Sequence, residues 1–147
     1  MEANNKTNND PNFYRVIVVG GGFAGVGAAI KLKEAGIEDF ILLEKAHEMG
    51  GVWRENTYPG CACDVPSASY SYSFAPNPAW SRIFAEQKEI KQYLFDVVEH
   101  YDVMPNVRLN CEALKAQWCD VENCWIIQTA QGELRSQIAM LDCGRMH

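Results

Sequence analysis

The chain has little that would make a metal centre, a membrane anchor or a nucleic-acid surface. It holds three histidines, and His47, His100 and His147 are scattered without ligand spacing. No apolar run approaches the ~20 residues of a membrane span. Positive charge is scarce: 13 Lys and Arg face 19 Asp and Glu, a net charge of -6. That balance argues against a nucleic-acid partner. The six cysteines form no C-x-x-C pair; Cys61 and Cys63 are a C-x-C, and no second pair at zinc spacing follows Cys111, Cys119, Cys124 and Cys143. No metal site is therefore expected. The stretch from Met1 to Pro11 lacks the apolar core of a signal peptide. Reduced thiols and a cytoplasmic location are the expectation.

What is present is a globular composition, 48% hydrophobic and 22% charged over 147 residues, enough for one domain with its own core. Residues 1–12 read as a disordered polar tail. Residues 13–147 read as the folded part.

The most informative segment is Val16-Ile17-Val18-Val19-Gly20-Gly21-Gly22-Phe23-Ala24-Gly25. A β-branched strand runs into a glycine turn and then into a helix predicted over Ala24 to Ala35, with Gly36 at its end. A helix start offers unpaired N–H groups and partial positive charge to a diphosphate. Gly20 suits the sharp turn, Gly22 a close approach of backbone to phosphate, and Gly25 close packing of helix on strand. The next apolar run, Asp39 to Glu44, ends on an acid about 20 residues on, the spacing of a dinucleotide site. Glu44 could accept both ribose hydroxyls and would repel a 2′-phosphate, which points to FAD or NAD. The bland alternative is a surface acid ending a strand.

From Lys45 to Ala85 the period is lost among Gly, Pro, Ser, Asn and aromatic residues. Such a long irregular excursion is usually functional. Glu86 to Asp102 reads as an amphipathic helix carrying Ile90, Leu94, Val97, Val98 and Tyr101 on one face. Val107 to Leu109 is a candidate third strand, parallel to the second. Cys111–Cys119, Cys124–Ala130 and Glu133–Leu141 read as a three-stranded meander, with Gln131-Gly132 turning between the last two.

The stretch from Gly50 to Phe74 carries Gly50-Gly51-Val52-Trp53, Tyr58-Pro59-Gly60, Asp64-Val65 and Tyr70. In this order it resembles the class B flavoprotein monooxygenases, and among them the Baeyer–Villiger monooxygenases. The likeness runs from about Tyr14 to about Leu141. It implies an α/β, Rossmann-like FAD-binding domain with a parallel sheet and an inserted β-meander, truncated at its C-terminus and without the NADPH domain. It implies tightly bound FAD, with NADPH as reductant in the full-length enzyme. Reaction of the reduced flavin with oxygen at C4a would then oxidise a small-molecule ketone or heteroatom. The cofactor-binding residues it implies are Gly20, Gly22, Phe23, Ala24, Gly25, Glu44, Lys45, Gly51, Val52, Trp53, Tyr58, Asp64, Val65 and Tyr70. No residue here is expected to be a catalytic acid or base.

The residues themselves are compatible with this. Gly50 and Gly51 allow a second close backbone approach. Trp53 and Tyr70 offer flat faces with polar tips, or are plain core aromatics. Asp64 would meet an arginine far downstream in the family, or is an Asx-turn residue before Val65-Pro66. Cys61 and Cys63 read as bystanders. The family's Phe-x-Gly-x-x-x-His motif and a second GxGxxG do not occur, and Asp142-Cys143-Gly144 stands where the family has Ala-Thr-Gly. Two rival readings remain. One is a stand-alone FAD-binding module or inactive remnant. The other is a different two-dinucleotide enzyme, an N-hydroxylating monooxygenase or a disulfide reductase, the latter opposed by the lack of a C-x-x-x-x-C pair in the flavin loop.

Overall fold

A computed structural model describes residues 10–144. Strands β1 (Phe13–Val19), β2 (Phe40–Leu43), β3 (Val107–Arg108), β4 (Ala113–Cys119), β5 (Cys124–Thr129) and β6 (Gly132–Leu141) form one six-stranded sheet in the order β3-β2-β1-β6-β5-β4. Its first half is parallel, with β2 between β1 and β3. Its second half is the antiparallel meander. The long strand β6 belongs to both: Leu134 and Arg135 pair with β5, and Ile138 to Leu141 run parallel to β1. Helices α1 (Phe23–Glu34), α2 (Val52–Glu55) and α3 (Gln87–His100) complete the regular structure.

Alternation along β1 builds two cores. Val16 and Val18 join Phe40, Leu42, Val26, Ile30, Leu94 and Val98 on the helix-covered face. Ile17 points the other way and meets Ile41, Leu43, Ile127 and Leu134. The meander therefore covers the second face of the parallel sheet. Both faces of β1 and β2 are buried, which is why these strands read as continuous apolar runs.

α1 starts at Phe23, one residue earlier than its sequence predicts. Its N-cap is Gly22, and no side chain caps it. At the other end Gly36 has φ 71°, its N–H donates to Lys33 O at 2.9 Å, and Ile37 N–H reaches Leu32 O at 2.9 Å. This Schellman pairing stops the helix where Gly36 predicts. α3 and the strands fall within a few residues of the expected spans.

Two expectations change. Residues 10–12 are not part of a polar tail: Phe13 N–H donates to Asp10 O, and Asn12 O accepts from Arg135 N–H, so they form a turn tied to β6. The rest of that expected tail, residues 1–9, lies outside the described residues. The excursion after Glu44 also has internal order. It contains α2 and a wall of aromatic rings held by tyrosine hydroxyls on backbone groups. Tyr72 OH donates to Phe23 O at 2.5 Å, Tyr93 OH donates to Ala75 O at 2.8 Å, and Tyr93 OH accepts from Tyr72 N–H at 2.8 Å. These bonds set the aromatic wall beside the start of α1.

Gly25 packs the first turn of α1 onto the end of β1. A Cβ there would overlap the Gly20 carbonyl oxygen, and both are backbone positions that cannot swing away. Gly25→Ala is expected to lower stability by at least about 3 kcal/mol, read from the midpoint of urea unfolding. An unchanged midpoint would contradict this packing.

Candidate functional site: a cleft at the strand ends

A cleft of about 300 Å³ opens at the C-terminal ends of β1, β2 and β6. Its floor is the glycine turn Gly20-Gly21-Gly22 and the first residues of α1, Phe23 and Ala24. The first intrahelical bond is from Val26 N–H to Gly22 O at 3.0 Å. The N–H groups of Phe23, Ala24 and Gly25 thus have no intrahelical acceptor.

A second glycine turn abuts the first. Gly50 N–H donates to Gly21 O at 2.9 Å. Gly51 has φ 52°, and a Cβ on it would lie 3.1 Å from Gly22 Cα. Both the left-handed backbone and the close approach favour glycine there. From Gly51 the chain enters α2, which directs Trp53 and Arg54 to the cleft wall.

Glu44 sits at the end of β2, 4% exposed. Its Oε2 accepts from Gly21 N–H at 2.7 Å. Its Oε1 accepts from Ala46 N–H at 2.9 Å and from Arg54 Nη1 at 3.0 Å. The carboxylate is therefore no surface acid. It ties the end of β2 to the glycine turn and to α2.

The opposite wall is aromatic. Trp53 Nε1 donates to Tyr70 OH at 2.8 Å, and the two rings meet edge to face with centroids 5.4 Å apart. Tyr70 also meets Phe23 edge to face at 5.2 Å. Burial pushes the Tyr70 phenol up, against the lowering effect of the Trp53 bond, and Cys63 and Asp64 add to the rise. Trp53 is both a wall and a core residue: at 8% exposure it packs with Cys61, Cys63, Ala85 and Ile90, and its carbonyl accepts from Gln87 Nε2.

The residues match known proteins. Positions 18–87 match the NAD(P)-binding Rossmann-like domain family. A Baeyer–Villiger monooxygenase of Streptomyces coelicolor is 45% identical over 130 residues, 88% of this chain and 25% of that protein. An oxidized steroid monooxygenase bound to NADP superposes with a TM-score of 0.85 at 34% identity, over 90% of this chain and 26% of that one. The structure of OTEMO in complex with FAD and NADP gives a TM-score of 0.85 at 25% identity, over 91% of this chain and 26% of that one. This chain is similar to the N-terminal portion of Baeyer–Villiger monooxygenases. It spans about a quarter of their length.

The Baeyer–Villiger-like motif residues divide in three. Gly20, Gly22, Phe23, Ala24, Glu44, Lys45, Gly51, Val52, Trp53 and Tyr70 all line the cleft. Gly25 lies beneath it as a packing residue. Tyr58, Asp64 and Val65 lie outside it and are exposed, Tyr58 by 61%. The Tyr58 phenol is held up chiefly by its hydrogen bond with Cys61. No hydrogen bond to the Asp64 side chain occurs among the described residues. Also among them, no group of three or more His, Cys, Asp or Glu is placed to hold a metal ion, and no helix is long and apolar enough to cross a membrane.

Sequence reasoning missed Gly21, Arg54, Cys111, Glu112, Ala113 and Asp142 as cleft residues. Gly21 was legible in principle: a Cβ there would lie 2.8 Å from Glu44 Oε2 and 2.7 Å from Met49 Sδ. Arg54 arrives on α2, and the others through the topology of β3, β4 and β6. The Asp142-Cys143 backbone crosses Gly20, so that a Cβ on Gly20 would lie 2.5 Å from Asp142 O, and Asp142 Oδ2 is buried without a hydrogen-bond partner among the described residues.

The Trp53–Tyr70 bond holds the aromatic wall together. Tyr70→Phe leaves the buried indole N–H without an acceptor and should destabilise the fold by about 1–3 kcal/mol. Urea unfolding followed by tryptophan fluorescence checks it; a loss within ±0.5 kcal/mol, the range of surface changes, would contradict the role.

Proposed function

We propose that this chain is the FAD-binding part of a flavin-dependent, NADPH-using monooxygenase that oxidises small-molecule ketones or heteroatom compounds. The observation that carries the reading is the meeting of three features in one cleft: an uncapped helix start, two abutting glycine turns and a buried carboxylate at the end of β2. The OTEMO structure with FAD and NADP, similar over 91% of this chain, supports it.

The residues fit a dinucleotide. Bare glycine backbone at Gly20 to Gly22 and Gly51 leaves room for a diphosphate near the N–H groups of Phe23 and Ala24. Glu44 supplies an acceptor at the ribose position. Phe23, Trp53 and Tyr70 form an aromatic wall suited to a planar ring system. When bound, the flavin supplies the redox and oxygen chemistry, and the chain's own residues bind it, orient it and exclude water. Tyr58, Asp64 and Val65 would act on an exposed surface next to the cleft.

Two measurements test the proposal. Heat release of the bound ligand, with absorbance and mass analysis, should yield FAD; stoichiometric NAD without flavin would overturn it. Mixing the FAD-loaded 147-residue chain with NADPH should not bleach the flavin band faster than free FAD. Hydride transfer needs a nicotinamide held against the flavin, and these residues carry one GxGxxG turn, at Gly20–Gly25. Fast bleaching would mean that the second nucleotide is held elsewhere on this chain.

A further inference from the structure

Arg54 and Glu44 form an ion pair at 3.0 Å inside the cleft wall, with side chains only 9% and 5% exposed. The pair limits what Glu44 can do. A carboxylate has about four acceptor sites, two on each oxygen. On Oε1 both are taken, by Ala46 N–H and Arg54 Nη1. On Oε2 one is taken, by Gly21 N–H. Among the described residues one site is left, on Oε2.

Arg54 is itself fixed. Nη1 also donates to Glu48 O at 3.0 Å, and Nη2 pairs with Glu55 Oε1 at 2.6 Å. Its guanidinium cannot swing away from Oε1 without breaking these bonds. It also sets a cation against Glu44 in a place that water hardly reaches, and although Arg54 is shared with Glu55, this weakens the repulsion between Glu44 and a 2′-phosphate.

We infer that Arg54 is a positioning residue of the nucleotide site: it holds Glu44 so that a single acceptor, Oε2, meets the adenosine ribose. The ribose is then read through one hydrogen bond and not through two, with the charge of Glu44 damped by Arg54. The inference rests on the FAD reading above. A purely structural ion pair would affect stability and leave nucleotide selectivity unchanged.

Binding of FAD and of its 2′-deoxyadenosine and 3′-deoxyadenosine analogues to the apo chain, followed by flavin fluorescence, tests the acceptor count on the wild type. One analogue should lose about tenfold in Kd, as expected for a charge-assisted bond, and the other less than threefold. Equal tenfold losses for both analogues, or no loss for either, would overturn the inference. Arg54→Gln tests the charge balance through the ratio of Kd for 2′,5′-ADP to that for 5′-ADP. That ratio should rise about tenfold or more over wild type, and Arg54→Lys should restore it. An unchanged ratio in a folded Arg54→Gln chain would also overturn the inference. If that variant fails to fold, the wild-type analogue series decides alone. FAD binding without the expected analogue pattern sinks only the Arg54 inference. Failure of wild type to bind FAD or 5′-ADP sinks the functional reading with it.

Discussion

Backbone meets backbone at the end of β1 with no side chain between, and the cleft depends on that contact. Gly25 seats α1 on Gly20, the Asp142-Cys143 backbone crosses Gly20 from β6, and Gly51 lies against Gly22. A Cβ at any of these points would force segments apart that together make the floor. Close approach also brings Gly21 N–H within 2.7 Å of Glu44, so that a buried carboxylate finds a donor without leaving its strand end. The start of α1 is left uncapped, which costs the fold a side-chain partner and leaves its N–H groups to a ligand.

Glu44 is the second organising element. Its main chain joins β2 to β3 and to the segment that follows β3, since its N–H donates to Arg108 O and its C=O accepts from Cys111 N–H. Its side chain joins β2 to the glycine turn and to α2. Burying a carboxylate is expensive unless its charge is paired and its oxygens are bonded. Here two backbone N–H groups and Arg54 meet that need, and they also set which acceptor remains for a ligand.

The aromatic wall follows a similar logic. The excursion after β2 has no ladder to satisfy its backbone, so hydroxyls of Tyr72, Tyr93 and Ser67 take over. Ser67 Oγ donates to Ile83 O and accepts from Ala85 N–H, and the tyrosines bond Phe23, Ala75 and each other. An irregular segment thereby becomes a fixed wall for Trp53 and Tyr70.

Much of this was legible in one dimension because it rests on local chemistry. Continuous β-branched runs predict buried strands, Gly36 predicts the end of α1, and the Gly20–Gly25 turn with Glu44 predicts where a dinucleotide would lie. The motif from Gly50 to Tyr70 identifies the relatives. What stayed hidden depends on contacts between distant segments. No spacing rule tells whether Arg54 pairs with Glu44 or merely with its neighbour Glu55; it bonds both. Nothing local separates Trp53, which faces the cleft, from Tyr58, five residues on and exposed. The meander brings Glu112 and Asp142 to the cleft only because β6 leaves β5 to run beside β1. The sequence by itself determined the strands, the glycine turn and the acid after β2, since each is a property of a few adjacent residues. Tertiary structure alone decided how many acceptors Glu44 keeps and which motif residues face the cleft, because both are counts of neighbours that the chain brings together only by folding.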